Sequence, residues 1–227
     1  MDFQSFASSS AGNLYRVKSG QNVLLIECGL PMRRIREALA FELAAVSGCL
    51  LTHEHMDHAK SATEMMKAGI DLYTSAGTAE ALSLTGHRLH TVKAGEQFRV
   101  GCFNVLPFAT QHDAAEPLGF LLSDGTDKLM FATDTHYLKW RFKGLTLIAV
   151  ECNYADDLIV NLEPCRKRRL VGSHMSLATT KAMLRANDLS RVREIHLLHL
   201  SSGNSDATRF KTEIEAMTGR PVYVEQQ

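Results

Sequence analysis

Apolar positions along this chain recur at two spacings, and the switches between them mark short strands and amphipathic helices. Near the start, positions 14–17 and 23–27 are β-rich apolar runs separated by Ser19-Gly20-Gln21, a hairpin pattern. Pro31 opens an amphipathic segment that continues to about Ala44, since proline is tolerated in a first helical turn. Positions 46–51 read as a buried strand that delivers the chain into Thr52-His53-Glu54-His55. Helical spacing returns at 59–68 and stops at Gly69. A second β-rich stretch covers 97–110, 119–123 and 128–133, and Asp124-Gly125-Thr126-Asp127 between the last two is a hairpin signal. Another apolar run occupies 145–151. Helices are predicted at 155–168 and 177–187, a strand at 194–199, a helix at 206–217 stopped by Gly219, and an edge strand at 221–224.

Strands with helices outside them imply layers, and two such halves predict an α/β (α+β) fold, a four-layer αββα sandwich. No repeat, low-complexity tract or Pro-rich linker interrupts the sequence, so residues 1–227 are expected to form a single hydrolase domain. With 45% hydrophobic and 22% charged residues the balance is globular, which excludes disordered and fibrous classes. Lys+Arg and Asp+Glu both number 25, so overall charge neither requires nor excludes a nucleic-acid partner. Cys28, Cys49, Cys102, Cys152 and Cys165 are scattered without a Cys-x-x-Cys pair, the pattern of reduced thiols. The first residues carry no basic n-region, and no run approaches the ~20 apolar residues of a membrane span. The expectation is a soluble cytoplasmic protein with no membrane association.

Ten His change this bland picture. Thr52-His53-Glu54-His55-Met56-Asp57-His58 packs three imidazoles and Asp57 into six positions. Neutral imidazole nitrogen and carboxylate oxygen suit borderline cations, so this composition points to Zn²⁺, with Mn²⁺ as the alternative. On a strand-to-helix turn, His53 and His55 can point one way and Asp57 and His58 another, which serves two adjacent ions better than one. The plain alternative is a polar surface loop; four ligand-type residues at this spacing weigh against it.

The segment resembles the signature of the metallo-β-lactamase superfamily, which expects a further His, an Asp and a last His. His112, Asp134 and His199 occur in that order. The resemblance implies that His53, His55 and His112 hold one divalent ion, that Asp57, His58 and His199 hold the second, and that Asp134 bridges them. Glu151 in Val150-Glu151-Cys152-Asn153-Tyr154 and His174 in Ser173-His174-Met175-Ser176 look like elements of the superfamily's phosphodiesterase branch, which includes tRNase Z-like enzymes. There the extra His lies beside the scissile phosphate and the Glu orients it. The chemistry is sound, because an alkoxide leaving phosphorus needs a proton donor effective near neutral pH. The bland reading of His174 is a neighbour of Ser176, itself a helix N-cap.

Ser8-Ser9-Ser10-Ala11-Gly12-Asn13 and His199-Leu200-Ser201-Ser202-Gly203-Asn204 are similar to the small YycJ (WalJ)-type subgroup, regarded as DNA exonucleases. Phage-encoded relatives of the same build degrade cyclic nucleotides in counter-defence. The long tRNA-gripping insertion is absent, which points away from tRNA processing. The expected enzyme is a two-metal phosphodiesterase with Asp57, Asp134, Glu151 and His174 in catalysis. Its expected substrates are nucleotide phosphodiesters, leaning to small or cyclic nucleotides; the alternatives are a DNA 5′ exonuclease and a thioesterase of the glyoxalase II kind. Many small members close the pocket with a partner subunit, so the resemblance makes a homodimer one assembly open to this chain.

The remaining features read plainly. Arg166-Lys167-Arg168-Arg169 is the one dense basic run, either a phosphate grip or a helix end that favours cations. His87, His90, His136 and His196 have no motif around them, although His136 lies two residues past Asp134. Trp140 reads as core filling.

Overall fold

The hairpin read from the first apolar runs forms, and another strand precedes it. In the computed structural model, which describes residues 1–225, β1 (Asp2–Ser9) pairs antiparallel with β2 (Gly12–Ser19) and β2 with β3 (Asn22–Ile26). Serines at positions 5, 8 and 9 hide β1 from a reading of apolar alternation, and its register slips between Ser5 and Ala7. Helix α1 (Met32–Ala38) is shorter than the predicted 31–44 segment. Ala40 and Phe41 adopt left-handed φ of 48° and 65°, which no α-helix accommodates, and a 3₁₀ turn at Leu43–Ala45 follows. Strand β4 (Val46–Leu50) leads into the one-turn α2 (Met56–Ala59) and then α3 (Ala62–Lys67), which ends before Gly69. Three short elements were invisible to periodicity: β5 (Leu72–Thr74), α4 (Ala76–Ala81) and β6 (Leu89–Thr91). The six strands form one sheet in the order β1 to β6, antiparallel through β3 and parallel beyond it. β7 (Phe98–Val100), β8 (Phe103–Ala109) and β9 (Leu118–Ser123) form an antiparallel series. All these elements belong to one of two contact-defined units, residues 1–109 with 114–126.

The other unit holds residues 110–113 and the chain from 127 onward. Its strands β10 (Lys128–Ala132), β11 (Leu147–Glu151), β12 (Glu194–Leu198) and β13 (Val222–Val224) are parallel. Parallel neighbours need crossovers, and α5 (Pro164–Ser173) and α6 (Leu177–Ala186) join β11 to β12, while α7 (Ala207–Thr218) joins β12 to β13. Every residue of β11 is buried, Glu151 included. That is why it reads as an unbroken apolar run. Ser176 caps α6 as expected, its Oγ accepting from Thr179 N, and Asp206 caps α7, its Oδ1 accepting from Arg209 N.

Two expectations are corrected here. The helix predicted at 155–168 is a 3₁₀ turn at Asp156–Ile159 followed by α5, which starts only at Pro164. The Glu163 carboxylate accepts from Cys165 N (3.0 Å) and Arg166 N (2.9 Å), and proline sits at the position where an N–H is not needed. The basic run therefore occupies the early turns of α5, not its end. Trp140 is no core residue: it is 39% exposed, with Lys139 Nζ 4.8 Å from its ring centroid. Among the described residues, no helix is long and apolar enough to cross a membrane, and all five cysteines are free thiols.

Candidate metal centre

In the first unit, β4 ends beside β3, and the residues just past both strands meet. Glu27 is completely buried and held at a left-handed φ of 66°. Thr52 Oγ1 donates to Glu27 Oε1 at 2.6 Å, so the same hydroxyl accepts from His53 Nδ1 at 2.8 Å. This assigns the imidazole proton to Nδ1 and makes Nε2 the atom that would carry a lone pair toward a cation. Nε2 stands 3.1 Å from His55 Nδ1. Two nitrogens on a tetrahedral zinc, each ~2.0–2.1 Å from the ion, lie about 3.3 Å apart, so this pair fits a shared cation.

His58, on α2, is also completely buried. Its Nδ1 lies 3.3 Å from Glu27 Oε1 and its Nε2 lies 3.3 Å from Asp57 Oδ2. The Asn13 amide donates to Ser9 O (3.0 Å) and Asp57 O (3.1 Å), and stands 3.2 Å from His58 Nε2. A carboxylate behind an imidazole fixes its tautomer and raises its basicity, the usual support for a metal-binding His. Sequence reasoning gave Glu27 and Thr52 no role. A charged residue ending an apolar strand was the available signal, and it resembles an ordinary polar stop.

Backbone contacts hold this turn in place. Cys28 N donates to His58 O (2.8 Å), Ser61 N to Cys28 O (2.9 Å) and Gly29 N to Asn13 O (2.9 Å). A Cβ on Gly29 would fall 1.7 Å from the carbonyl oxygen of Asp57, backbone that no rotamer change can move. Gly29→Ala is therefore expected to destabilise the protein by at least about 1–3 kcal/mol, the usual range for overpacking, and to weaken metal uptake. Thermal unfolding with a parallel metal titration checks this; a variant unchanged in both would contradict it.

In the second unit the candidates sit at element ends. Asp134 follows β10 and His199 follows β12, both with left-handed φ (46° and 52°). Such conformations cost roughly 1–3 kcal/mol each and persist where surrounding structure enforces them, commonly at ligand sites. The Asp134 carboxylate lies between two imidazoles: Oδ1 is 3.3 Å from His199 Nδ1, and Oδ2 is 3.7 Å from His112 Nε2. Thr133 Oγ1 donates to Oδ1 at 3.0 Å. His112 Nδ1 donates to Ser173 O at 3.0 Å, which leaves its Nε2 lone pair facing Asp134. Burial holds the His112 pKa below its ordinary value, more than offsetting Asp134, and so favours the neutral, ligand-competent ring. Asn153 Nδ2 donates to His199 O (2.7 Å) and lies 3.3 Å from His199 Nδ1.

Glu151 and His174 form a dyad. Glu151 Oε1 lies 2.5 Å from His174 Nδ1, while Oε2 accepts from Thr135 N (2.9 Å) and Met175 N (3.1 Å). Burial disfavours the charged form of each residue. Their mutual attraction and hydrogen bond prevail, so Glu151 titrates below the ordinary carboxylate range and His174 above the ordinary imidazole value. The His174 side chain is 19% exposed, with its ring 5.4 Å from that of His112 and 5.5 Å from that of His199. Ligand-type atoms of Asp134, Glu151, His174 and His199 all lie within 4.8 Å of one another. The histidines without a motif have settings of their own. His196 is buried with Nδ1 2.7 Å from Glu225, His90 stacks on Tyr73, His87 is exposed, and His136 Nδ1 lies 3.0 Å from Gln111 O.

A family model described as the beta-lactamase superfamily domain matches residues 22–200, and the chain belongs to that superfamily. It is a metal-dependent hydrolase with the metallo-β-lactamase α/β fold, two mixed sheets with helices. The fold implies divalent metal ions, and His/Asp clusters of suitable chemistry are present. More particularly, the chain is 28% identical over 226 residues to Exodeoxyribonuclease YycJ of Bacillus anthracis, covering 90% of this chain and 84% of that one. It is 26% identical over 219 residues to Exodeoxyribonuclease WalJ of Streptococcus pneumoniae, covering 88% and 81%. The metallo-β-lactamase fold protein YhfI of Bacillus subtilis superposes with a TM-score of 0.75 at 15% identity, covering 99% of this chain and 95% of that one. This last likeness shows the fold.

Proposed function

We propose that this chain is a two-metal phosphodiesterase that removes nucleotides from DNA ends, acting as a single hydrolase domain. The observation that carries the reading is the Glu151–His174 dyad, with the His174 ring 5.4 and 5.5 Å from the rings of His112 and His199. A hydrolase that expels a stable leaving group has no need of such a proton donor, whereas one that expels an alkoxide does. In this reading His53, His55 and His112 would hold one ion, Asp57, His58 and His199 would hold the other, and Asp134 would serve both. Zn²⁺ suits the ligand set best, and Mn²⁺ is the alternative. When bound, such ions lower the pKa of water from 15.7 to about 7 and neutralise charge on phosphate oxygens. Glu151 holds Nδ1 of His174, so Nε2 is the atom that delivers a proton to the departing oxygen. Similarity to two exodeoxyribonucleases over most of each chain supports DNA as the substrate.

The experiment is a substrate panel with purified, metal-loaded protein: end-labelled single- and double-stranded DNA, 3′,5′-cyclic nucleotides, bis(p-nitrophenyl) phosphate and a glutathione thioester. Stepwise loss of nucleotides from DNA ends, with cyclic nucleotides intact, is the expected result. Hydrolysis of cyclic nucleotides alone would make the enzyme a signal-degrading phosphodiesterase. Thioester cleavage with every phosphodiester intact would overturn the reading.

A further inference from the structure

A pocket of about 530 Å³ opens beside His174 in the second unit. Arg166 and Arg169 line it together with His174, and the loop Ser201, Ser202, Gly203 and Asn204 supplies further polar groups. Its volume falls within the ~300–1,000 Å³ typical of small-molecule sites. Among the described residues, no acidic one lines it. Arg169 Nε comes within 3.8 Å of Asp113 Oδ2, but both side chains are exposed and a pair at that distance contributes little. The loop is fixed by its own hydrogen bonds: Ser201 N donates to Asn153 O (2.9 Å), Asn204 Nδ2 to Ser201 Oγ (3.0 Å), and Ala155 N to Asn204 O (3.1 Å). Leu162 and Leu170 give the pocket an apolar portion.

Helix electrostatics alone would not place arginines here. Arg166 is the third residue of the ten-residue α5, in the first turn at the positive end of the helix dipole, where a cation is unfavourable; Arg169 is the sixth, one turn on. The nearest acid in sequence, Glu163, is engaged in capping the helix through the backbone of Cys165 and Arg166. Spacing of i, i+3 places both guanidinium groups on one helix face. Lys167 and Arg168, between them, do not line the pocket. An arginine in the unfavourable first turn and a second one turn on, the only two of the basic run to line a cavity without acidic walls, fit an anion that arrives with the substrate.

We propose that this pocket is a nucleotide-phosphate subsite, in which Arg166 and Arg169 hold a phosphate of the strand next to the bond that His174 helps to break. This rests on the phosphodiesterase reading and adds to it the means of gripping a nucleic-acid end. Planar guanidinium groups suit bidentate capture of phosphate oxygens. Ser201 Oγ and the Asn204 amide offer neutral hydrogen bonds, and the two leucines pack against sugar or base.

The test is calorimetric binding of thymidine 5′-monophosphate to the chelator-treated full chain, with thymidine as the uncharged control. The monophosphate is expected to bind and thymidine not. Arg166→Ala/Arg169→Ala is expected to weaken that binding by at least about 10-fold, the loss anticipated for hydrogen bonds to charged groups. Lys167→Ala/Arg168→Ala removes the same charge from the same helix and is expected to bind within about threefold of the unmodified chain, since exposed charges off the site contribute little. Equal weakening by both double variants, or equal binding of thymidine and its monophosphate, overturns the subsite. Hydrolysis of bis(p-nitrophenyl) phosphate by the metal-loaded, unmodified chain separately tests the phosphodiesterase reading. If that substrate is untouched while arginine-dependent phosphate binding persists, the phosphodiesterase reading falls and the pocket stands as a phosphate site alone.

Discussion

Alanine in place of His174 is expected to lower kcat on DNA by about 10²- to 10⁴-fold while metal content stays at the level of the parent protein. The range is that of a positioned general acid, and the geometry supports assigning it here. The ring is fixed at Nδ1 by Glu151 at 2.5 Å, the pair favours the protonated imidazole, and the side chain keeps 19% exposure for access to substrate. A further distinction separates a proton donor from a structural residue. Bis(p-nitrophenyl) phosphate releases a phenolate that is stable without a proton, so His174→Ala should slow that reaction far less than cleavage of DNA. Parallel kcat measurements on the two substrates, with metal analysis of the same samples, decide it. Equal losses on both substrates would mean that His174 positions or binds and does not donate.

Asp134→Asn is expected to remove activity together with metal, weakening metal affinity by more than the ~10–100-fold attributed to residues one step removed from an ion. Asparagine is the informative replacement. It tolerates the left-handed backbone found at this position, and it keeps the shape that accepts from Thr133 Oγ1. Folding should therefore survive while the negative charge between His112 and His199 is lost. Without that charge, a cation brought between the two imidazoles loses the carboxylate that faces both. Metal stoichiometry after dialysis, read beside a thermal unfolding curve, gives the answer. A stable variant that retains two ions per chain would refute a bridging role for Asp134.

The parts of this protein that were legible in the sequence share a physical reason. β4 and the dense cluster behind it could be read because a buried strand ending in His53, His55, Asp57 and His58 suits a metal site and little else. α6 and α7 announced themselves through Ser176, Asp206 and Gly219, local signals that act within one turn. His112, Asp134 and His199 were found through family resemblance, since nothing local distinguishes them from other polar residues at strand ends. Glu27 and Thr52 escaped for a different reason: they are 25 positions apart and acquire their role only when β3 and β4 pair. β1 was concealed by its serines, and β5 and β6 by their length of three residues. The start of α5 was readable and missed, because Glu163-Pro164 carries the same proline signal that located α1. Trp140, alone of its kind in the chain, had no periodic neighbours to indicate which way it faces.

The carboxylate of Glu151 is shared among four places in the chain: one oxygen faces His174 and His199, and the other accepts from the backbone at Thr135 and Met175. On the proposed reading, removing it is expected to slow the reaction and at the same time to loosen the loop that carries Asp134 and the entry to α6. No substitution at this position separates the two effects. For anyone seeking an inert form that still captures its substrate for crystallography, position 151 is the wrong choice; the exchange belongs at its neighbour, whose imidazole ties no loop together.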